Sequence, residues 1–211
     1  ILHHQGWGAL GQLKLLNRRF FNLLGGTTVN TGSLCCGAGV TALLADCGAL
    51  RTHDVYDLVN SRFIIVWGRN PHVSTPQLVL ALAEARAAGV PIATIDCVNT
   101  KLSQQCDLFV PIRPGSDAYL ALALARVLWR RGLVDESFLA NHTSAWDRFR
   151  ALIEAHELAD LAERCDVPVS VIENLATLYG SARPASIWLG GGPQRWVSGV
   201  DNFRLIEALG A

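Results

Sequence analysis

An alternation of buried strands and helices starts at residue 63, and it constrains the fold more than any other feature of the sequence. Phe63–Trp67 is an unbroken run of five apolar residues, and two further mainly apolar segments of strand length, at 91–96 and 108–112, follow it. Unbroken runs of this length are typical of strands buried on both faces, as in parallel sheets covered by helices. The pattern therefore predicts an α/β fold with a parallel sheet and right-handed crossovers.

The helices predicted around these strands complete the pattern. Pro76 opens a helix over 76–88, which Gly89 ends, and residues 117–131 form a long helix after the third strand. Further helices are predicted over 10–24 (with an apolar face of Leu13, Leu16, Phe20, Leu23 and Leu24), 40–47, within 135–180 and from about Val200; a fourth strand is predicted at Ala185–Leu189. Asp135, Ser144 and Ser170 are the predicted N-caps of the short helices.

Composition excludes several classes of function. The formal net charge is zero, which argues against a nucleic-acid partner, and no apolar run approaches the roughly 20 residues of a membrane span. The six cysteines form no C-x-x-C pair, so zinc or iron–sulfur binding by this chain alone is not expected. Four of the six are expected to be small buried residues. Because the chain starts at Ile1, has no methionine and has no signal segment, we expect a fragment of a longer multidomain enzyme.

Three predicted strand ends carry polar residues suited to a nucleotide. Gly68 and Asn70 follow the first strand, Asp96 ends the second, and Pro114-Gly115-Ser116-Asp117 follows the third. Ligands of open parallel sheets bind beyond the C-terminal strand ends. A carboxylate at 96 suits a ribose diol, and one at 117 suits the N1 and amine of guanine. Each feature alone is also compatible with an ordinary turn or helix cap.

A glycine-rich loop follows the predicted fourth strand. Gly190, Gly191 and Gly192 would let backbone N–H groups face a ligand, and Gln194 could bond a heterocycle. A flexible turn is the alternative. No G-x-G-x-x-G motif lies between the first predicted strand and Asp96, which argues against an ordinary NAD site. The sequence has no G-x-x-x-x-G-K-[ST] loop, which argues against a generic guanine-nucleotide-binding module.

The order of these segments resembles the molybdopterin oxidoreductases of the dimethyl sulfoxide reductase family. The segments that carry the resemblance are S-R-F-I-I-V-W-G-R-N-P at 61–71, I-D-C-V-N-T-K-L-S-Q-Q-C-D at 95–107, I-R-P-G-S-D-A-Y-L-A-L at 112–122 and G-G-G-P-Q-R at 190–195. The resemblance implies a bis-molybdopterin guanine dinucleotide cofactor with Mo or W. It implies a guanosine end lined by Gly68, Asn70, Asp96, Thr100, Gly115, Ser116 and Asp117, and a pterin end near Gly190, Gly191, Gly192 and Gln194.

The resemblance also implies a metal ligand, and the sequence departs from the family pattern at Cys97, Val98, Leu102 and Ser103. The loop 31–39 falls where the family places its protein ligand, which makes Cys35 the expected ligand and catalytic residue, with Cys36 as second choice. Two structural cysteines are the alternative. Cys36 stands where formate dehydrogenases usually have His, which weighs against formate. Cys97-Val98 replaces the family's Pro-Arg, so one basic contact is missing.

The sequence thus predicts a Rossmann-like parallel-sheet domain at 58–183, inserted into a second α/β domain formed by 1–57 and 184–211. The implied activity is two-electron redox, by oxygen-atom or hydride transfer, on a small-molecule substrate with an electron-transfer subunit or carrier. A [4Fe-4S] cluster and a C-terminal cap domain are expected outside this chain. Two alternatives stay open: a cofactor-free homologue in a respiratory complex, and a non-redox hydratase or transhydroxylase. The sequence leaves the compartment open.

Overall fold

A four-stranded parallel sheet forms the centre of the chain. The structure, a computed structural model, describes residues 1–6, 13–50 and 52–211. The strands are β1 (Leu2–His3), β2 (Thr28–Val29), β3 (Phe63–Trp67), β4 (Ile92–Asp96), β5 (Leu108–Pro111) and β6 (Ala185–Leu189). The order β5-β4-β3-β6 is parallel throughout, with Ile65 opposite Ala93 on one side and Ile187 on the other. A separate parallel pair joins β1 to β2.

Helices cover both faces of this sheet. They are α1 (Lys14–Leu24), α2 (Gly37–Cys47), α3 (Pro71–Ser74), α4 (Pro76–Ala87), α5 (Asp117–Arg130), α6 (Glu136–His142), α7 (Trp146–Glu154), α8 (Leu158–Cys165), α9 (Val169–Ser181) and α10 (Gly199–Glu207). Short 3-10 turns lie at Val55–Asn60, Pro193–Arg195 and Ala208–Gly210. The predicted α/β class with a parallel sheet is therefore confirmed.

The side chains of β3 alternate between two apolar layers. Phe63, Ile65 and Trp67 belong to a large core that includes residues of α5, α8, α9 and α10. Ile64 and Val66 point to the other face, into a smaller core that includes residues of α4 and the 55–60 turn. Burying one such side chain contributes about 1.5–3 kcal/mol, so both layers hold the strand in the middle of the fold.

The order in which strands are added to the sheet reverses between β5 and β6, although all four strands stay parallel. Strands β3, β4 and β5 are laid down outward in one direction, and β6 then pairs on the free side of β3. In open parallel sheets a crevice forms where the order reverses, outside the C-terminal ends of the strands. That position here lies between the ends of β3 and β6. The sheet joins strands from both sides of the predicted 183/184 boundary, and the division into two domains stays a prediction.

Two of the three predicted N-caps are wrong. Asp135 caps α6, since its Oδ1 accepts the Phe138 N–H at 2.9 Å. Helix α7 instead starts after Ala145, which has a left-handed backbone (φ 60°), so Ser144 is one residue too early. Ser170 lies inside α9, because Pro168 supplies the fixed φ before the first helical residue, Val169.

The burial predicted for the N-terminal helix and for the cysteines needs correction. Helix α1 ends at Gly25 as expected, although residues 10–12 of the predicted helix lie outside the described residues. Its apolar residues are exposed, with Phe20 at 58 % and Leu23 at 78 %, since no described element covers them. All six cysteines are free, but among Cys47, Cys97, Cys106 and Cys165 only the last is buried. Across the described part of the chain, no helix is both long and apolar enough to cross a bilayer.

Candidate functional site

A pocket of about 380 Å³ opens where the strand order reverses. Two loops line it, the one after β3 and the one after β6, together with the end of α3 and the residue that joins α3 to α4. The lining residues are Gly68, Arg69, Asn70, Ser74, Thr75, Gly191, Gly192 and Arg195. Four of the residues predicted from sequence are thus brought together, namely Gly68, Asn70, Gly191 and Gly192. Among the residues that the structure describes, the lining includes two arginines and no acid, so the pocket suits an anionic ligand.

The floor of this pocket is backbone packed against backbone. The Gly190 N–H donates to the Trp67 carbonyl at 2.7 Å, and the Gly192 N–H donates to the Gly68 carbonyl at 3.4 Å. A Cβ at Gly190 would lie 2.1 Å from the Gly68 carbonyl oxygen, so a side chain at 190 would force the two loops apart. Gly68 also adopts a positive φ of 58°, which favours glycine.

Asn70 and Arg69, which line the pocket, each have a buried polar atom without a hydrogen-bond partner among the described residues. The Asn70 Oδ1 is buried and has no hydrogen-bond partner among the described residues, and neither has the Arg69 Nε. Arg69 donates to the Leu189 carbonyl at 3.3 Å and to the Thr75 hydroxyl at 2.8 Å. Burial lowers the pKa of this guanidinium. A buried polar atom without a partner costs about 1–3 kcal/mol, so a polar ligand here would remove a penalty.

Cys35 lies beside this pocket and contacts it through Arg195. The Cys35 side chain is half-buried, and an Arg195 nitrogen, Nη2, lies 3.8 Å from its Sγ. The same guanidinium donates to the Leu34 carbonyl at 3.2 Å. The Ser33 hydroxyl accepts the N–H groups of Cys35 and Cys36, at 3.1 and 3.3 Å, and lies 3.6 Å from the Cys36 Sγ. The two neighbouring thiols therefore have different contacts.

Two side-chain amides, one partly buried and one fully buried, tie the glycine loop to the helices around it. The Gln194 Oε1 accepts the Gly39 N–H at 3.0 Å, which connects this loop to α2 directly after the two cysteines. Asn202 is fully buried in α10; its Oδ1 accepts the Ala118 N–H at 3.1 Å and its Nδ2 donates to the Pro193 carbonyl at 2.8 Å. The loop 190–195 is thus fixed to the first turns of α2 and α5.

Asp96 and Asp117 lie near each other beyond the ends of β4 and β3, outside the pocket lining. Burial raises the pKa of Asp117, and the charge of Asp96 raises it further. The Asp117 Oδ1 accepts the Trp67 indole N–H at 2.7 Å, and the described residues give its Oδ2 no donor. Asp96 uses Oδ1 to accept the Val98 N–H at 3.0 Å. Each carboxylate therefore keeps one oxygen for another donor.

Three further predicted residues make structural contacts, which are local for Thr100 and Ser116 and distant in sequence for Gly115. Thr100 is buried, and its hydroxyl lies 3.3 Å from that of Ser103, within a turn. Ser116 donates to the Arg113 carbonyl at 2.6 Å. Gly115 has a positive φ of 78°, and the Trp196 ring covers it, 2.9 Å from where a Cβ would stand. These three residues are not part of the pocket lining.

Sequence reasoning missed Arg195, Asn202 and the two hydroxyls, Ser74 and Thr75. Arg195 is the charged residue of its loop, and that isolated charge beside three glycines was a usable signal. Asn202 gave none, because a single polar residue in an amphipathic helix normally indicates the exposed face.

A second cavity, of about 170 Å³, lies at the opposite end of the sheet near the start of β6. Its lining is mainly apolar, including Leu128, Trp146 and Leu209. It lies away from Cys35 and from the C-terminal ends of the strands. We therefore take the pocket between β3 and β6 as the candidate functional site. The described residues hold no group of three His, Cys, Asp or Glu side chains that could bind a metal by themselves.

Comparison with known proteins supplies the context for this geometry. Residues 7–211 match the family model described as molybdopterin oxidoreductase. The "Probable oxidoreductase YyaE" of Bacillus subtilis is 33 % identical over 209 residues, covering 99 % of this chain and 31 % of that protein. "Probable oxidoreductase YoaE" of the same organism is 30 % identical over 214 residues, with coverages of 100 % and 31 %. This chain thus spans about a third of either relative.

Among solved structures, the acetylene hydratase of Pelobacter acetylenicus has a similar fold. The TM-score is 0.79 at 22 % identity, over 99 % of this chain and 29 % of that one. At this identity the likeness concerns the fold, which again is a mixed α/β arrangement.

Proposed function

The chain belongs to the molybdopterin oxidoreductase family, as its motifs predict, and on that premise we propose that it forms the cofactor-binding core of a molybdenum or tungsten enzyme. The proposed cofactor is bis-molybdopterin guanine dinucleotide. The observation that carries the proposal is the pocket between β3 and β6, which lies beside a half-buried cysteine and contains two arginines and an unpartnered buried amide oxygen.

The residues present fit such a group. The pterin part of the cofactor carries N–H donors, and its diphosphate link to the guanosine carries negative charge. No described residue donates to the Asn70 Oδ1, while Arg69 and Arg195 supply positive charge around the same space. A cysteine thiolate suits a soft metal centre that already has sulfur ligands. The donor chemistry of the pocket and of the cysteine loop therefore supports the same ligand.

The residues of this chain would bind, orient and shield that group. Cys35 would ligate the metal, and the glycine floor would let the ligand approach the backbone closely. The free oxygens of Asp96 and Asp117 would accept donors of the guanosine end. When bound, the cofactor supplies the two-electron redox change at the metal, which is chemistry that no side chain here provides.

The parent activity in this proposal is oxidation or reduction of a small molecule, with an electron-transfer subunit or carrier as partner. Both Bacillus subtilis relatives are named as oxidoreductases, which favours redox chemistry over hydration. An iron–sulfur cluster in another part of the enzyme belongs to the same proposal. The proposal also includes the predicted division into two domains, residues 58–183 and residues 1–57 with 184–211. The guanosine contacts belong to the first of these domains and the metal-ligand loop to the second.

The proposal is tested with the Cys35→Ala variant, and Cys36→Ala is its matched control. We expect Cys35→Ala to abolish turnover and to remove one sulfur neighbour from the metal in X-ray absorption spectra. The nucleotide released on acid denaturation should stay guanine at unchanged stoichiometry, because the proposed guanosine contacts lie beyond β3 and β4. Cys36→Ala should keep the sulfur count.

Three outcomes would contradict the proposal. Active wild-type protein without Mo or W would remove its basis, and so would release of an adenine nucleotide. Loss of the sulfur neighbour in Cys36→Ala, with retention in Cys35→Ala, would move the ligand to the second cysteine.

A further inference from the structure

Arg195 makes a contact to the cysteine loop that the family resemblance does not assign. Its guanidinium reaches across 160 positions of sequence, with Nη1 donating to the Leu34 carbonyl at 3.2 Å and Nη2 3.8 Å from the Cys35 Sγ. None of the salt bridges between described residues engages Arg195. Its charge is therefore directed at the cysteine loop and the pocket, with no carboxylate to neutralise it.

The backbone that carries Arg195 is held on several sides. Pro193 packs against Gly68, where a Cβ would lie 2.5 Å from its Cδ. Gln194 bonds the Gly39 N–H, and a Cβ at Gly199 would meet the Gln194 carbonyl oxygen at 2.3 Å. Since the side chain starts from a fixed backbone and ends on a backbone carbonyl, few of its rotamers keep both guanidinium contacts.

We propose that Arg195 is a positioning residue for Cys35: it fixes the cysteine loop through the Leu34 carbonyl and places a positive charge beside the sulfur. The effect on the metal rests on the proposed function, in which that sulfur is a metal ligand. A positive charge near the centre stabilises the state with one more electron, so Arg195 raises the reduction potential of the metal. The effect on the loop needs no metal.

The size of the expected shift follows from distance and exposure. A charge within about 4–6 Å of the sulfur interacts strongly at a protein surface, although solvent screens the exposed guanidinium. We expect about a tenfold change in the redox equilibrium, equivalent to about 59 mV for a one-electron couple.

The first measurement is the midpoint potential of the metal in the loaded enzyme, from redox titration followed by electron paramagnetic resonance. Arg195→Gln should lower the midpoint potential. Arg195→Lys should have a midpoint potential close to that of wild type, because lysine keeps the positive charge. Arg150→Gln is the matched control; it also removes an exposed arginine, but one paired with Glu154 on α7. A potential in Arg195→Gln equal to that of Arg150→Gln overturns the proposal.

The second measurement is amide hydrogen exchange over residues 33–37 in metal-free protein. Arg195→Gln should exchange faster there than wild type, and Arg150→Gln should not. Unchanged exchange in Arg195→Gln also overturns the proposal. If wild-type enzyme has no metal–sulfur bond from Cys35, the proposed function fails, and faster exchange in Arg195→Gln still supports the positioning of the loop.

Discussion

Replacing Asn202 should destabilise the protein far more than replacing an exposed asparagine. Asn202 has no exposed surface, and it both accepts from the Ala118 N–H and donates to the Pro193 carbonyl. Each such bond contributes roughly 1 kcal/mol net, and each partner left unsatisfied in a buried site costs about 1–3 kcal/mol. Because the Ala118 N–H lies in the first turn of α5, where water can replace part of the bond, we expect Asn202→Ala to cost about 2–4 kcal/mol.

Urea unfolding followed by far-ultraviolet circular dichroism measures this free energy of unfolding. Asn141→Ala is the control, since exposed Asn141 bonds the Ser137 carbonyl within α6, and we expect a loss below about 0.5 kcal/mol. Asn202→Asp keeps the acceptor for Ala118 and loses the donor to Pro193, so it should also be destabilised at neutral pH. An Asn202→Ala variant as stable as Asn141→Ala would refute the reasoning that this amide joins the glycine loop to α5.

Two further predictions concern carboxylates. Asp117→Asn should lower the guanine nucleotide recovered on acid denaturation about tenfold, since a charge-assisted bond contributes roughly 1.5–3 kcal/mol. Asp107→Asn is the control and should not lower it, because Asp107 accepts the Ile92 N–H at the opposite end of the strands. Equal recovery from the two variants would contradict the assignment of Asp117 to the guanine. Burial, with the charge of Asp46, raises the pKa of Glu207 from 4.5 to about 7, so its ionisation should reduce stability as pH rises through that range. Glu207→Gln should therefore have a higher melting temperature than wild type at pH 8, and the difference should disappear near pH 4, below the pKa of Glu207 in the unfolded chain. A wild-type pH profile in the variant would show that Glu207 is not responsible.

The sequence predicted the four strands of the central sheet well, because the apolar residues that are buried in each of them are contiguous in sequence, whereas the two-residue strands β1 and β2 were not predicted. The bounds of β3 and β6 agree at both ends, and β4 and β5 differ by one residue each. An apolar run of strand length, closed by a glycine or proline, leaves little freedom in where the strand ends. The same logic predicted Gly68, Asn70, Gly191 and Gly192 as site residues, since they follow strands at the edge where ligands bind, and the structure brings these four into one pocket lining.

The contacts that complete the site depend on distant parts of the chain, which local patterns do not describe. The Arg195–Cys35 and Gln194–Gly39 contacts span more than 150 positions, so neither spacing nor periodicity points to them. Helix α1 is the opposite case. Its apolar spacing correctly predicted a helix and an apolar face, but periodicity states only which side is apolar, not what covers it.

The chemistry of the pocket lining determines how ligand retention should respond to acid and base. The eight described residues that line it are glycines, an asparagine, a serine, a threonine and two arginines, and none of them is a carboxylate, an imidazole or a thiol, the groups whose ordinary pKa values lie nearest to neutral pH. An anionic group held by peptide N–H groups and guanidinium charges would therefore be retained with little dependence on pH near neutrality. A bell-shaped pH profile of the loaded enzyme would then report on the reacting atoms, because the occupancy of this pocket would be the same at both limbs of the curve.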